Sequence, residues 1–328
     1  MPIASLSISG EITLNLHSLN NEGGEGNQII TRQLTIIDEQ GEPKTVNGIS
    51  GDMFKHIHAG HLVNHSVENN LPLSNYSRVF NPNRIEPAEL ENYFTNNNEE
   101  NNTSADIIRG LINVCTVCDT HGILITEAVG QNRNKNVPRK STIEFGWTVG
   151  IPGKNNSETY VHTKLVSDSG TTERTGGNEG QNIFHRPANH GIYAFVCNLD
   201  IYRIGLNDIN RQYAIGQPAR VQRYHAIIDS LISSFLNPKG AMTSTQKPHI
   251  TDFKGVISTS ASLIPAPTIS ALNSDYKDEI KNIADSLNNI QANSIQIHEF
   301  KGLDEAVYIL TNVRKEQPFI LPNAGLKQ

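Results

Sequence analysis

Leu6–Leu16, LSISGEITLNL, sets the first constraint: Leu6, Ile8, Gly10, Ile12, Leu14 and Leu16 fall on every second position. A period of two puts one face of a strand into a core. After the polar stretch HSLNNEGGEGN, the run IITRQLTII resumes a β-branched pattern up to the turn DEQGEP, which predicts a hairpin or strand extension. Next comes NGISGDMFKHIHAGH, Asn47–His61. Asp52 stands where an N-cap belongs, ahead of Met53, Phe54, Ile57, His61 and Leu62 on one helical face, so this stretch is predicted as a turn plus a helix.

Beyond it, NPNRIEPAELENYFTNNNEENNTSAD is crowded with Asn and Glu and is predicted as an exposed insertion or disordered loop. ADIIRGLINVCTVCDTHGILITEA reads as a helix running into a buried segment. Ile143, Phe145, Trp147 and Val149 alternate as a strand. Two strand patterns then flank the polar, glycine-rich segment Asp168–Asn182, the signature of a long hairpin. Tyr224, Ile227, Ile228, Leu231, Ile232 and Phe235 mark an amphipathic helix that ends at NPKG. A strand follows in FKGVISTSASLI. The tail reads as a helix through Ile280, Ile283, Ala284, Leu287 and Ile290, a short strand SIQIHEF, and a last helix from about Leu303. No internal repeat is present. The resulting strand, helix, strand, hairpin strand, helix, strand skeleton predicts an α+β fold with a ferredoxin-like βαββαβ core and large insertions.

Acidic residues outnumber basic ones by 33 to 27, and the net charge of −6 excludes a globally basic surface. A polyanion would have to bind through local patches. Cys115, Cys118 and Cys197 are too few and too odd in number for a disulfide framework, which fits a reducing cytoplasm. Neither a signal peptide nor a membrane span is expected, and the protein should be soluble.

His56, His58, His61 and His65 invite a metal reading, with His61 and His65 one helical turn apart. The glutamate that would complete a zinc-protease helix is missing, and no carboxylate pair lies nearby. No metal site and no cofactor are therefore expected. Cys115 and Cys118 lack a second pair and sit among aliphatic residues, as buried small hydrophobes do. Ser50 in GISGD matches a nucleophile elbow only loosely, because Asp52 takes the place of its last glycine. SGTTERTGGNEG lacks the Lys-Ser/Thr ending of a phosphate loop.

Cations carry more information. Lys55 follows a turn with Gly48 and Gly51, and the first turn of a helix exposes N–H groups to anions. Arg139 and Lys140 precede the Ile143 strand, Arg174 and Arg186 bracket the hairpin, and Arg211, Arg220 and Arg223 occupy a stretch without acids. Singly each is an ordinary surface charge; together they suggest a path for RNA.

SISGEITLNLHSLNNEGG, RQLTI and VNGISGDMFKHIHAGHLV, followed by CDTHGIL, VPRKSTIEFGWTVGIPG and YRIGLND, resemble the backbone subunit of type I CRISPR effector complexes. The nearest group is the DevR-like, Cas-seven proteins of the RAMP superfamily, with a type I-B-like complex as the expected setting. The resemblance covers most of residues 1–270. It implies a modified RNA-recognition fold whose copies polymerise along a CRISPR guide RNA and present its bases to target DNA. Backbone contacts then suffice, because base pairing reads the sequence.

Mapped onto this chain, the resemblance implies an RNA-binding turn and helix at Asn47–His58, a D-x-x-G segment at Asp119–Gly122, a β-hairpin thumb at about 166–186, and a late loop KGAMTSTQKPH at Lys239–His249. The expected RNA-binding residues are Asn47, Gly48, Ser50, Gly51, Lys55, His56, His58, Arg139, Lys140, Arg174, Arg186, Arg220, Arg223, Gln246 and Lys247. Residues 1–270 would form an RRM-like RAMP core with an Asn/Glu-rich insertion at about 65–104, and 271–328 a helical extension packed on it. Expected partners are the guide RNA, target DNA, further copies of the chain, and Cas-five-like, Cas-six-like and large subunits of a Cascade-type complex. No enzymatic activity is expected. Two rivals remain: a RAMP-type metal-dependent ribonuclease using Asp38 or Asp52, and a histidine-metal hydrolase.

Overall fold

The computed structural model describes residues 1–20, 24–25, 28–29, 31–130, 136–165 and 181–325. Chain order begins with strand β1 (Ser5–His17), the short β2 (Gly24–Glu25) and β3 (Gln28–Ile29), the hairpin β4 (Gln33–Ile37) and β5 (Pro43–Ile49), and helix α1 (Gly51–Glu68). Helices α2 (Asn75–Arg78), α3 (Pro87–Asn97), α4 (Ser104–Val114) and α5 (Thr116–His121) follow, then the strand pair β6 (Ile123–Ile125) and β7 (Val137–Arg139). Strands β8 (Ile143–Phe145), β9 (Thr148–Leu165) and β10 (Gln181–Asp200) lead to α6 (Gln217–Leu236) and β11 (His249–Ser260). The chain closes with α7 (Tyr276–Ile290), β12 (Ile295–Phe300) and α8 (Leu303–Lys315).

The main sheet runs β12-β11-β1-β10-β9-β5-β4, and neighbours along this path pair antiparallel. Strand β1 therefore sits inside the sheet, between β11 and β10. Its Leu6, Ile8, Ile12 and Leu14 join the main core, where Phe54, Phe145, Phe195, Phe235, Phe253 and Phe300 form a chain of ring contacts with centroids 4.8–6.4 Å apart. Burying each such ring contributes about 2–3 kcal/mol. Helices α1 and α6 both contribute to this core, and α8 is tied to α6 by the Tyr224 hydroxyl, which donates to the Val313 carbonyl at 2.5 Å.

The alternate face of β1 carries Ser5, Ser7 and Ser9, a pattern that normally faces water. Here all three are buried. The Ser7 hydroxyl donates to the Ala266 carbonyl at 3.0 Å, while Ser5 and Ser9 hydroxyls accept from the Ala266 and Ile269 amides. Beside this seam Tyr276 and Ile280 of α7 pack with Ala194, Val256 and Ala271. The chain after residue 260 thus seals the second face of the sheet. That face is where an RRM would stack bases. The strand expected at SIQIHEF is β12, which extends the sheet beyond β11.

Four expectations need correction. The Asn/Glu-rich insertion contains helix α3, whose Leu90 and Phe94 are buried, and a Thr103/Asp106 capping box starts α4. Leu16 leaves the alternation of β1: its φ is 53°, it is 47% exposed, and His17 takes the buried place. The strand expected through Trp147 breaks into β8 and β9 at Gly146–Trp147. Finally, Ser50 rather than Asp52 caps α1, its hydroxyl accepting from the Met53 amide at 3.1 Å while Asp52 lies in the first turn. Strands β9 and β10 pair antiparallel out to Leu165 and Gln181, on either side of the segment expected as the thumb. Its tip and Arg174 lie outside the described residues.

Candidate nucleic-acid interface

Helix α1 forms because Phe54, Ile57, His58, His61 and Leu62 make one buried stripe, so two of the four sequence-flagged histidines, His58 and His61, serve packing. His58 Nε2 donates to the Ile227 carbonyl at 3.1 Å, which leaves its Nδ1 to accept from His121 Nε2 at 2.8 Å. His61 Nε2 reaches the Asn237 carbonyl at 2.9 Å, and His65 Nε2 the Ser233 hydroxyl at 3.0 Å. The row is a hydrogen-bonded seam between α1 and α6. Burial pushes His58 down to about 3 and His121 well below the ordinary imidazole range, so both are neutral at pH 7. His58 is therefore not an RNA contact. His56 alone of the four is exposed, its ring tilted against that of Phe80 with centroids 4.8 Å apart.

The turn before α1 is braced from inside the protein. Asn20 donates from Nδ2 to the Gly48 carbonyl at 2.6 Å and accepts from the Ser50 amide at 3.0 Å. Asn47 is buried, donating to Thr31 Oγ1 and the Arg32 carbonyl and accepting from the Tyr193 hydroxyl at 3.0 Å. Gly48 and Gly51 were expected to admit a phosphate. Instead, a Cβ on Gly48 would collide with the Leu34 side chain, and one on Gly51 with the Phe145 carbonyl. Gly51 packs against backbone that cannot yield, whereas at Gly48 the end of the Leu34 side chain would have to move.

The expected arginine path is also largely internal. Arg139 is fully buried, and all five of its N–H donors are used, on the Asp119 carboxylate and carbonyl, Asp208, and the Leu206 and Arg203 carbonyls. Arg223 pairs with the other oxygen of Asp119 at 2.7 Å, and the Gly205 amide donates to the same carboxylate. Arg220 lies 4.0 Å from the Tyr213 ring centroid and donates to Ile204, Gln217 and Phe319. Burying a guidinium-type cation is tolerable only with such pairing. These three arginines are turned to protein partners inside the fold, and Asp119 of the D-x-x-G segment is the buried counter-ion of Arg139 and Arg223. Burial raises Asp208, but the guanidiniums of Arg139 and Arg203 outweigh it and hold the carboxyl below its usual range.

What remains accessible gathers around a cleft of about 680 Å³ lined by Asn20, Arg32, Ser50, Asp52, Met53, His56, Gly240 and Ala241. The late loop forms one wall because its Ala241 and Met242 amides donate to the Leu19 and Ser18 carbonyls at the end of β1. Further along, Gln246 Nε2 donates to the Pro187 carbonyl and Arg186 reaches Thr245 Oγ1 at 3.5 Å, so the loop meets the base of the β9–β10 hairpin. Ser50, His56, Arg186, Gln246 and the exposed Lys247 are thus brought to one region. Lys140 is exposed, and its carbonyl accepts from Arg203 near the buried ion cluster.

Lys55 does not line this cleft. It lines a second groove of about 1310 Å³ with Tyr76, Arg84, Glu86, Glu91 and Glu127. Burial and the nearby Arg84 lower its ammonium pKa, against Asp52 and Glu144. Arg32 and Asn20 escaped the sequence reading. Arg32 is one cation beside a strand pattern, and nothing in its neighbours predicts that the chain folds back to α1. Among the described residues no group of three or more His, Cys, Asp or Glu could hold a metal ion. Asp38 is engaged by the Gln40 and Glu42 amides and by Lys44. Among the described residues no helix is long and apolar enough to cross a membrane.

The family model for the CRISPR-associated negative auto-regulator DevR/Csa2 matches residues 8–281. The chain belongs to that family. No curated protein matches it. Among solved structures, it is similar to a chain of a CRISPR RNA-guided surveillance complex, pre-nicking, at 12% identity, covering 89% of each chain with a TM-score of 0.44. A chain of a second CRISPR RNA-guided surveillance complex gives 11% identity, 89% and 87% coverage and a TM-score of 0.42. Thermofilum pendens Csc2 gives 12%, 96% and 86%, and 0.39. These likenesses are too distant to place any residue.

Proposed function

We propose that this DevR/Csa2 member is the guide-RNA-binding backbone subunit of a Cascade-type CRISPR complex, repeated along the RNA and acting by holding rather than cutting it. The carrying observation is the cleft where β1, the capped start of α1 and the late loop converge, because it offers polar and cationic groups on a face left open by the fold. With the second sheet face sealed by α7 and its preceding loop, the strand's route runs along the helix start and hairpin base instead. The order β11-β1-β10-β9, with α1 after β1 and α6 before β11, supports reading the core as ferredoxin-like βαββαβ. On this reading the partners are guide RNA, target DNA paired to it, further copies of the chain and other Cascade subunits of a I-B-like complex, in the cytoplasm.

Co-expression with a repeat array tests it: the purified protein should carry RNA of array sequence in multi-subunit particles. Nucleic-acid-free monomer under those conditions overturns the proposal. Asp52 lines the same cleft, which keeps the ribonuclease reading open to a direct trial. Guide-bound particles incubated with labelled complementary RNA and Mg²⁺ should leave it intact; regularly spaced cuts would replace holding with cleavage.

A further inference from the structure

Trp147 is the only tryptophan of the chain, and it is 41% exposed. It sits at the break between β8 and β9, where the next residue, Thr148, pairs with Ile49 just ahead of the Ser50 cap. The backbone on its other side is fixed as well: the Gly146 amide donates to the Val196 carbonyl at 3.0 Å. The guanidinium of Arg32 lies over the indole, 5.7 Å from the ring centroid. Arg32 is held in turn, its carbonyl accepting from Asn47 Nδ2 at 2.9 Å and the Gly48 amide at 3.3 Å. Arg32 also lines the cleft beside α1. A cation and an indole face are therefore joined at the cleft's edge, both on rigid backbone.

We infer that Trp147 and Arg32 form a stacking ledge that holds one base of a single-stranded RNA while its backbone follows the adjacent cleft. The inference rests on the guide-binding reading and adds to it a base contact, where that reading needs phosphate contacts only. Indole faces stack on any base, which suits a subunit that must accept every guide sequence. Arg32 supplies both a planar cation for stacking and a charge for the flanking phosphate. The break in the β8–β9 strand is what brings the indole to the surface: had the alternation of Ile143, Phe145, Trp147 and Val149 continued, Trp147 would share their face.

The full chain, freed of co-purified RNA by high salt, is titrated with a 5′-labelled oligouridylate of about 16 nucleotides and with an abasic oligomer of equal length. Anisotropy of the label reports binding, and emission of the lone tryptophan reports stacking. The oligouridylate should raise anisotropy and quench Trp147; the abasic oligomer should bind without quenching. Trp147→Ala should weaken oligouridylate binding about tenfold while leaving abasic binding unchanged, and Trp147→Phe should stay near wild type. Trp147→Phe also guards against a folding artefact in the alanine variant, checked by circular dichroism. Oligouridylate binding with unchanged emission and equal affinity in Trp147→Ala overturns the ledge and leaves the guide-binding reading standing. Failure of both oligomers to bind overturns both.

Discussion

Asp119→Asn probes the buried ion cluster most sharply. In the native protein one carboxylate oxygen faces Arg139 Nη2 and the other Arg223 Nη1, each at 2.7 Å, with the Gly205 amide on the same group. The amide keeps the shape but removes the charge and points an N–H₂ donor at a guanidinium. Arg139 retains Asp208, at 2.6 Å; Arg223, buried, loses its carboxylate partner. Removing one member of a buried pair costs about 3–5 kcal/mol, because a charge stays behind in a low-dielectric site. With an unfolding entropy of about 2.1 cal/mol/K per residue, a chain of 328 residues should lose about 4–7 °C in Tm. Calorimetry and urea unfolding measure this directly. The double variant Asp119→Leu with Arg223→Met, which removes both charges, should recover part of the loss. A Tm for Asp119→Asn within about 1 °C of wild type would refute the structural role and return these arginines to the list of RNA contacts.

Stability should also fall as pH drops below about 6, because buried neutral His17 and His58, each pushed down to about 3, take up protons more readily unfolded than folded. Their lowered folded pKa makes the contribution complete above about 6.5 and lost progressively toward 3; thermal melts from pH 7 to 4.5 should show the decline, and His58→Leu with His121→Leu should flatten it. Gly51→Ala should destabilise by about 1–3 kcal/mol, since the added methyl meets the Phe145 carbonyl; an unchanged melt would mean the helix start has room. Arg32→Gln should weaken RNA binding and reduce the dependence of log affinity on log salt by about one. Lys55→Glu, on the other groove, should leave guide retention unchanged in the same titration.

Much of the skeleton was legible because it rests on local periodicity. The helix read from Tyr224 to Phe235 is α6, and the tail's helix, strand and helix match α7, β12 and α8. The Asn/Glu-rich insertion misled because composition outweighed two local signals, the Leu90/Phe94 spacing and the Thr103/Asp106 box. The serine face of β1 carries no local sign of burial: only the distant 266–269 backbone explains why Ser5, Ser7 and Ser9 lie inside. The candidate site was the least legible part. Whether an arginine meets phosphate or protein depends on a carboxylate far along the chain, as Asp119 is for Arg223. Arg32 and Trp147 are likewise joined only by the fold.

The central claim is that this chain holds guide RNA, and the RNA that co-purifies with it tests that claim most directly. Expressed with a repeat array and purified at moderate salt, the protein should yield multi-subunit particles whose sequenced RNA is processed array transcript. Monomer free of nucleic acid, or particles carrying bulk cellular RNA without enrichment of array sequence, would contradict it.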